Sequence, residues 1–250
     1  MSAGTAKSDL DLLAIDIAST FRLSRSGRIL RENDPERSTG PLVFFAGCAQ
    51  GNLVHVHDRV PEEAAVQVFE LLGREPPWLD PGSEPAALAR VLKVLEGYFP
   101  AMPVRPSVIY HLTRQPAAPD DLRFVCSGTA AGNILLESLD EAGLREHLAD
   151  AGFAGPADFW APWCAVLEGR TIISIAFSAR LGEHGAEVGV YTFSQWRSMG
   201  LAAAATAKWT SHPDLAGREL FYSASTENAS SQRVAARLGL RRFAAGLRIG

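Results

Sequence analysis

The clearest candidate for ligand chemistry in this sequence is a strand that leads into a helix of small residues. A strand is predicted over residues 187–193 and an Ala-rich helix over residues 200–210. The first turn of a helix has unpaired backbone N–H groups at the positive end of the helix dipole, and together they bind phosphate. Arg197 adds charge, Gly200 allows close backbone approach, and the alanines over 202–205 leave room along the helix. The pattern predicts a phosphate or pyrophosphate site, although Ala-rich helices also serve only to pack tightly.

A second segment follows in the order that such a site requires. A strand is predicted over residues 219–223, and a helix opens at Asn228, 26 residues after Ala202, and closes at Leu238-Gly239-Leu240. These two segments resemble the paired signatures of GCN5-related N-acetyltransferases, in which an R/Q-x-x-G-x-G/A loop follows the fourth strand of the family. The hairpin over residues 164–178 also matches the family order, and the resemblance covers residues 106–250.

The resemblance implies a fold, a domain division and an activity. The implied fold class is α+β, with the mixed, mostly antiparallel sheet of acyl-CoA N-acyltransferases flanked by helices and an additional N-terminal α/β region. Residues 106–250 would form the acetyltransferase domain, and residues 1–105 would form an N-terminal region that serves as a substrate-side cap. The implied reaction transfers an acetyl group from acetyl-CoA to a primary amine, by direct attack in a ternary complex. A small-molecule acceptor is expected rather than a histone-type peptide.

The same resemblance assigns the coenzyme contacts to backbone and side-chain groups of three segments. The pyrophosphate is expected on the loop amides of Arg197, Ser198, Met199, Gly200, Leu201 and Ala202. An exposed backbone amide in the stretch of Val190, Tyr191 and Thr192 is expected to polarise the thioester carbonyl. Asn228 and Ser231 are expected to contact the coenzyme arm, although an Asn at a helix start also acts as an N-cap.

Glu187 is the predicted general base, because several family members keep a glutamate near the start of this strand. The alternative is a solvated strand residue paired with a basic side chain. Where the family often places a tyrosine as general acid, this chain has Ala235. Tyr222 then becomes a candidate acid, together with Ser225, Ser231 or solvent. Ala235 favours a rival hypothesis, a non-catalytic CoA-binding regulatory or interaction protein, while Glu187 and the intact loop oppose it.

Composition and charge limit the remaining possibilities. The 250 residues are 47% hydrophobic and carry a formal net charge of −4, so neither nucleic acid nor anionic membrane is an expected partner. No signal peptide or membrane span is predicted, and the expected location is the cytoplasm. Three widely separated cysteines, Cys48, Cys126 and Cys164, indicate reduced packing residues rather than disulfides. A homodimer is left open.

Two further clusters have alternative interpretations. His55 and His57 have the spacing of a zinc-binding pair on a strand, but no third ligand is evident, so no metal is expected. Arg237, Arg241 and Arg242 follow the predicted last helix, where cations are favourable at a helix C-terminus. They could also reach the 3′-phosphate of coenzyme A.

The rest of the chain alternates between helix, strand and loop patterns. A polar loop is predicted over residues 22–40. Further helices are predicted over residues 10–21, from Pro61 to Gly73, 86–97, 141–151 and 228–238, and further strands over 42–45, 53–56, 108–112, 122–126, 163–167, 172–178 and 243–249.

Overall fold

A computed structural model shows that the chain forms two compact units. The structure describes residues 6–100, 102–116, 118–119, 121–138, 148–149, 153 and 158–250. The first unit comprises Met1–His111, Ser223–Ala229 and Arg241–Gly250, and the second comprises Leu112–Tyr222 and Ser230–Leu240. These bounds differ from the predicted division at residue 105, because the end of the chain returns to the first unit. The predicted α+β class is confirmed.

The elements alternate along the chain. The helices are α1 (Asp9–Thr20), α2 (Glu62–Leu72), α3 (Leu88–Glu96), α4 (Ala130–Ser138), α5 (Leu201–Thr210) and α6 (Ala229–Arg237). The strands are β1 (Phe21–Leu23), β2 (Ile29–Glu32), β3 (Val43–Cys48), β4 (Gly51–Val56), β5 (Val104–His111), β6 (Arg123–Cys126), β7 (Trp163–Glu168), β8 (Thr171–Leu181), β9 (Gly185–Thr192), β10 (Glu219–Ser225) and β11 (Arg241–Ile249). None of the helices within the described residues has the length and apolar character needed to cross a membrane.

The first unit is built on an antiparallel sheet in the order β4-β3-β11-β5. Strand β3 is buried at every residue, because it lies between two other strands and its side chains enter the core. Helices α2 and α3 place one apolar face each in that core, through residues such as Val68, Leu72, Val91 and Leu95. The predicted strands and helices of this region are therefore confirmed.

Helix α1 begins with a capping box. The Ser8 hydroxyl accepts a hydrogen bond from the Asp11 amide, and the Asp11 carboxylate accepts hydrogen bonds from the Ser8 amide and hydroxyl. These hydrogen bonds from Ser8 lower the pKa of Asp11. The buried faces of Leu13 and Ile17 then follow at helical spacing, as the sequence predicted.

The prediction of a loop over residues 22–40 is wrong in part, because the segment contains the antiparallel pair β1 and β2. Contacts from distant parts of the chain hold this pair. The Arg28 guanidinium donates to the carbonyl oxygens of His57 and Val60, and the imidazoles of His55 and His57 hydrogen-bond to the carbonyl oxygens of Gly27 and Thr39. Both histidines thus hold backbone of this segment. Among the described residues, no group of three or more His, Cys, Asp or Glu side chains is placed to hold a metal ion.

The strands of the second unit lie in the order β10-β9-β8-β7-β6. Its strands pair antiparallel except β9 and β10, which are parallel. Helix α5 contacts β7, β8 and β9. Helix α4 was not predicted, because Gly132 in its first turns lowers helix propensity. A Cβ on Gly132 would lie 2.3 Å from the Cys126 carbonyl oxygen, so a residue without a side chain lets α4 follow β6 closely. Apart from residues 148–149, which are helical, the predicted helix over 141–151 lies outside the described residues.

The prediction that all three cysteines are reduced is wrong for two of them. Cys126 and Cys164 are directly paired across the antiparallel strands β6 and β7, and they form a disulfide with a Cα–Cα distance of 4.1 Å. Cys48 is a free, buried cysteine. The two cysteines are separated by 38 positions in the sequence, and only the pairing of β6 with β7 brings them together.

We expect the purified, unreduced and denatured protein to contain one titratable thiol, that of Cys48, and the reduced protein to contain three. Closing a loop of 38 residues removes entropy from the unfolded chain, so the bond should contribute about 4 kcal/mol to the free energy of unfolding. Thiol titration in denaturant, with and without reductant, checks the pairing. Three thiols in the protein that was never reduced would contradict it.

Candidate functional site

Strand β9 pairs with β8 along its length but with β10 only at its start. Its antiparallel register with β8 continues as far as Ser174 and Thr192. Its parallel register with β10 covers three pairs and, among the described residues, ends at Phe221 and Glu187. The stretch of β9 that follows Glu187 therefore leaves β10. The predicted carbonyl-polarising residues Val190, Tyr191 and Thr192 all lie in this stretch.

Glu187 is half-buried at the point where this pairing ends. It lies opposite Arg180 of β8 in the strand register, and alternation places it on the same face as Gly189 and Tyr191. A Cβ on Gly189 would lie 2.6 Å from Cζ of Phe177, so the Phe177 ring lies over the β9 backbone there. The predicted base thus stands at the edge of an aromatic face.

The aromatic face extends over several segments of the second unit. The ring of Phe177 packs edge-on against Phe153 with centroids 5.4 Å apart, and Phe153 in turn packs against Phe159 at 4.8 Å. Tyr191 packs edge-on against Phe193 at 5.1 Å. Phe177 and Tyr191 remain half-buried. This side of β9 therefore presents apolar, partly exposed ring surface next to a carboxylate.

The turn from β9 into α5 contains two residues in the left-handed backbone region. A short 3-10 turn over Ser194–Trp196 is followed by Ser198, with φ +66°, and by Gly200, with φ +83°. A left-handed non-glycine residue is strained, and such strain concentrates at functional sites. Met199, between them, is 64% exposed. The turn is thus an exposed segment with an irregular backbone, directly ahead of α5.

Gly200 is the N-cap of α5, and the amides that follow it lack helical partners. The first hydrogen bond of the helix runs from the Ala204 amide to the Gly200 carbonyl, so the amides of Leu201, Ala202 and Ala203 have no acceptor within the helix. These amides form a group of backbone donors of the kind that binds anions at a helix start. The predicted loop residues are brought together at this helix start.

The two arginines near this turn are directed to different places. The Arg197 guanidinium lies over the Tyr191 ring, 5.8 Å from its centroid, and its Nε donates to the Thr192 carbonyl oxygen at 3.1 Å. The guanidinium against Gly200 is that of Arg237, at the end of α6. A Cβ on Gly200 would lie 2.7 Å from Cζ and Nη1 of Arg237. Sequence reasoning placed Arg197 beside the helix start. It left Arg237 as either an ordinary cation at a helix end or a contact of the 3′-phosphate of coenzyme A.

Tyr222 and Ser231 lie together, while Asn228 belongs to the other unit. Tyr222 is only 2% exposed, and its hydroxyl donates to the Ser231 carbonyl oxygen at 3.2 Å. Ala235, at the position of the family tyrosine, is fully buried. Asn228 is exposed just before α6, and its amide donates to the Ser225 carbonyl oxygen.

A Ser–His–Asp group in the second unit has the composition of a hydrolase triad but the wrong proton arrangement. The His212 Nε2 lies 3.2 Å from the Ser127 hydroxyl. The Asp214 amide donates to His212 Nδ1, so this nitrogen is an acceptor and Nε2 carries the proton, which it donates to the Ser127 carbonyl oxygen at 3.0 Å. A protonated Nε2 does not accept the serine proton. The group therefore fastens the turn after β6 to the end of α5.

A comparison with protein families finds a match in the second half of the chain. The model of the GNAT acetyltransferase family matches residues 145–244, which include β9, the turn and helices α5 and α6. This segment, 100 of the 250 residues, is similar to the GNAT acetyltransferase family. No curated protein matches the chain significantly.

Solved structures show distant likeness to this chain. A GCN5-related N-acetyltransferase from Kribbella flavida is 17% identical, with a TM-score of 0.44, over 64% of this chain and 63% of its own. A GCN5-related N-acetyltransferase-like protein from Streptococcus suis is 16% identical, with a TM-score of 0.45, over 84% of both chains. A functionally unknown conserved protein from Staphylococcus epidermidis is 10% identical, with a TM-score of 0.47, over 95% of this chain and 96% of its own. Likeness at this level does not decide substrate or activity.

We expect Gly200→Ala to weaken coenzyme binding much more than folding, and Gly217 provides the matched control. Both glycines have positive φ, +83° and +81°, so alanine at either position costs about 1–2 kcal/mol of stability. A Cβ at Gly217 meets nothing within 4 Å, whereas a Cβ at Gly200 meets Arg237 and faces the helix start. Thermal melts and coenzyme A titrations of both variants check this. Equal coenzyme affinity in the two variants would place the anion site elsewhere.

Proposed function

We propose that this protein transfers an acetyl group from acetyl-CoA to a primary amine of a small molecule, by direct attack in a ternary complex. The observation that carries the proposal is the arrangement around β9. One of its ends leads to a donor-rich helix start, and its middle leaves β10 beside the carboxylate of Glu187. An anion site, a strand edge and a base are thus provided by one short segment, residues 187–202.

The helix start fits the pyrophosphate of the coenzyme. Three first-turn amides and a left-handed turn present donors, and Gly200, which has no side chain, allows close approach to the backbone. We infer that the loop residues Arg197, Ser198, Met199, Gly200, Leu201 and Ala202 hold this group. When bound, acetyl-CoA supplies the thioester from which the acetyl group is transferred. Asn228 and Ser231 remain predicted contacts of the coenzyme arm.

The strand edge after Glu187 fits the reacting end. A backbone amide among Val190, Tyr191 and Thr192 would donate to the thioester carbonyl oxygen, on the side of β9 where pairing with β10 has ended. The amine nitrogen attacks the carbonyl carbon, the carbon–sulfur bond then breaks, and the extra proton on the nitrogen passes to the departing sulfur or to solvent. Sulfur leaves as a thiolate, which a thiol can do without a general acid. The fully buried Ala235 is therefore compatible with turnover.

Glu187 is the proposed general base. Its half-buried carboxylate would accept the proton of the incoming ammonium, directly or through a water molecule, before the nitrogen attacks. The ring surface of Phe177 and Tyr191 on the same face would pack against the apolar body of a small acceptor. Tyr222, whose hydroxyl is bonded to Ser231, remains a predicted proton donor to the departing sulfur.

The N-terminal region also has a proposed role. Residues 1–105 are proposed to act as a substrate-side cap for the acetyltransferase domain of residues 106–250. A cytoplasmic location, a homodimer and the absence of nucleic-acid, membrane and metal partners remain predictions from the sequence.

Acetyl-CoA and coenzyme A should raise the melting temperature. A ligand that binds only the native state stabilises it by about 2.7 kcal/mol at a hundredfold excess over its dissociation constant. Thermal melts over a range of acetyl-CoA concentrations test the binding step. An unchanged melting temperature at millimolar acetyl-CoA and millimolar coenzyme A would overturn the proposed function. Stabilisation without thiol release from any amine in a broad acceptor library would instead favour a CoA-binding protein without catalysis.

Glu187→Gln should lower turnover on an identified amine by roughly 10² to 10⁴, while acetyl-CoA affinity stays nearly unchanged. The substitution keeps the size of the side chain and removes its basicity. The loss should shrink as the pH rises toward the pKa of the acceptor amine, because more acceptor then arrives deprotonated.

Glu183 supplies the control for this variant, since it lies in the turn before β9 with its side chain 88% exposed. Glu183→Gln removes the same charge away from the strand edge and should leave turnover unchanged. Full activity of Glu187→Gln at every pH would show that water or the substrate itself removes the proton.

A further inference from the structure

The guanidinium of Arg237 stands at the start of α5 although it belongs to the end of α6. Its Cζ and both Nη atoms would lie within 2.9 Å of a Cβ at Gly200, so it rests on the backbone of the helix N-cap. Arg237 is exposed, and within the described part of the chain no hydrogen bond or ion pair of its guanidinium is recorded. A charged side chain thus lies against Gly200 and, within the described residues, forms no hydrogen bond or ion pair there.

The position of α6 brings Arg237 there. The Tyr222 hydroxyl donates to the Ser231 carbonyl oxygen in the first half of the helix, and Ala235 is fully buried. The helix ends in a tight cap, because the Leu240 amide donates to the Ala235 carbonyl oxygen and Gly239 takes φ +63°. The last residue before this cap is Arg237. A fixed helix end therefore aims the arginine at Gly200.

This placement is electrostatically unfavourable on its own. A guanidinium has five N–H donors and no acceptor, and the start of α5 presents backbone donors at the positive end of a helix dipole. Two groups of donors with like charge converge on one point. An anion between them would accept hydrogen bonds from both and remove the repulsion. The contact therefore indicates a ligand with several oxygen acceptors and at least one negative charge.

We propose that Arg237 binds the pyrophosphate of the coenzyme together with the amides at the start of α5. The inference rests on the proposed function, and it names a residue that the sequence signature does not include. Arg197, the arginine of the signature, is held over Tyr191 and donates to the Thr192 carbonyl oxygen. Arg237 is accordingly the guanidinium at the helix start. Its planar fork suits two oxygens of a phosphate at once.

Titration of four proteins with two ligands tests this role. The proteins are wild type, Arg237→Ala, Arg237→Lys and the control Arg233→Ala. Arg233 is exposed one turn earlier on α6, so its loss removes the same charge from the same helix. The ligands are coenzyme A and 3′-dephospho-coenzyme A, which keeps the pyrophosphate and lacks the 3′-phosphate. Calorimetry measures affinity, and thermal melts without ligand confirm that each variant is folded.

Arg237→Ala should weaken both ligands by about 10- to 100-fold, the usual effect of losing a charged hydrogen-bond donor. Arg237→Lys should recover part of the affinity, and Arg233→Ala should bind almost as wild type does. A loss for coenzyme A that disappears with the dephospho form would assign Arg237 to the 3′-phosphate and overturn the proposal. Equal affinities of Arg237→Ala and Arg233→Ala would overturn it as well. Failure of the wild type to bind either ligand would instead refute the proposed function itself.

A double-mutant cycle gives a second readout. Alanine at position 200 would displace the Arg237 guanidinium, so Gly200→Ala loses part of what Arg237→Ala loses. The double variant should therefore bind coenzyme A more tightly than the product of the two single losses predicts. Additive losses would show that the two residues act independently.

Discussion

Small side chains hold helix α5 against the sheet of the second unit, and the position of the candidate site depends on this contact. The helix contacts β7, β8 and β9, and its Ala205 and Thr206 are fully buried. Ser174, Ala176 and Ser178 are equally buried on β8. Residues of this size let a helix lie close to a sheet, and the Trp209 indole donates to the Pro162 carbonyl oxygen at the far end. The start of α5 is thereby fixed next to the end of β9.

Two places along β9 suit different parts of a ligand. Toward its end, β9 leads to backbone donors without acceptors, which suit an anion. Near its beginning, Glu187 stands where pairing with β10 ends, beside ring surface that suits an apolar body. A long ligand with an anionic end and a reactive end would contact both places. The length of β9 sets the distance between the helix start and Glu187.

The sequence predicted those features that depend on local patterns. Strand β9, the turn and α5 were predicted because hydrophobic alternation, a glycine and a run of alanines lie next to each other in the chain. The pair β1 and β2 was missed because its contacts are to a distant segment: Arg28 donates to the His57 carbonyl oxygen, and His55 and His57 hydrogen-bond to carbonyl oxygens of the loop. The disulfide was missed because only the pairing of β6 with β7 brings its cysteines together. Arg237 reaches Gly200 through the packing of two helices, and no short-range signal marks that contact.

The order of strands in the first unit means that its sheet cannot be completed until the end of the chain has been synthesised. Strand β11 lies between β3 and β5, although β3 and β5 are synthesised long before it. Until β11 emerges, two strand edges with apolar residues have no partner, and such edges pair readily with other chains. The 129 residues over 112–240 are made during this interval. Chains that end before β11 therefore keep the edges of β3 and β5 unpaired at that place, and exposed edges of this kind favour aggregation.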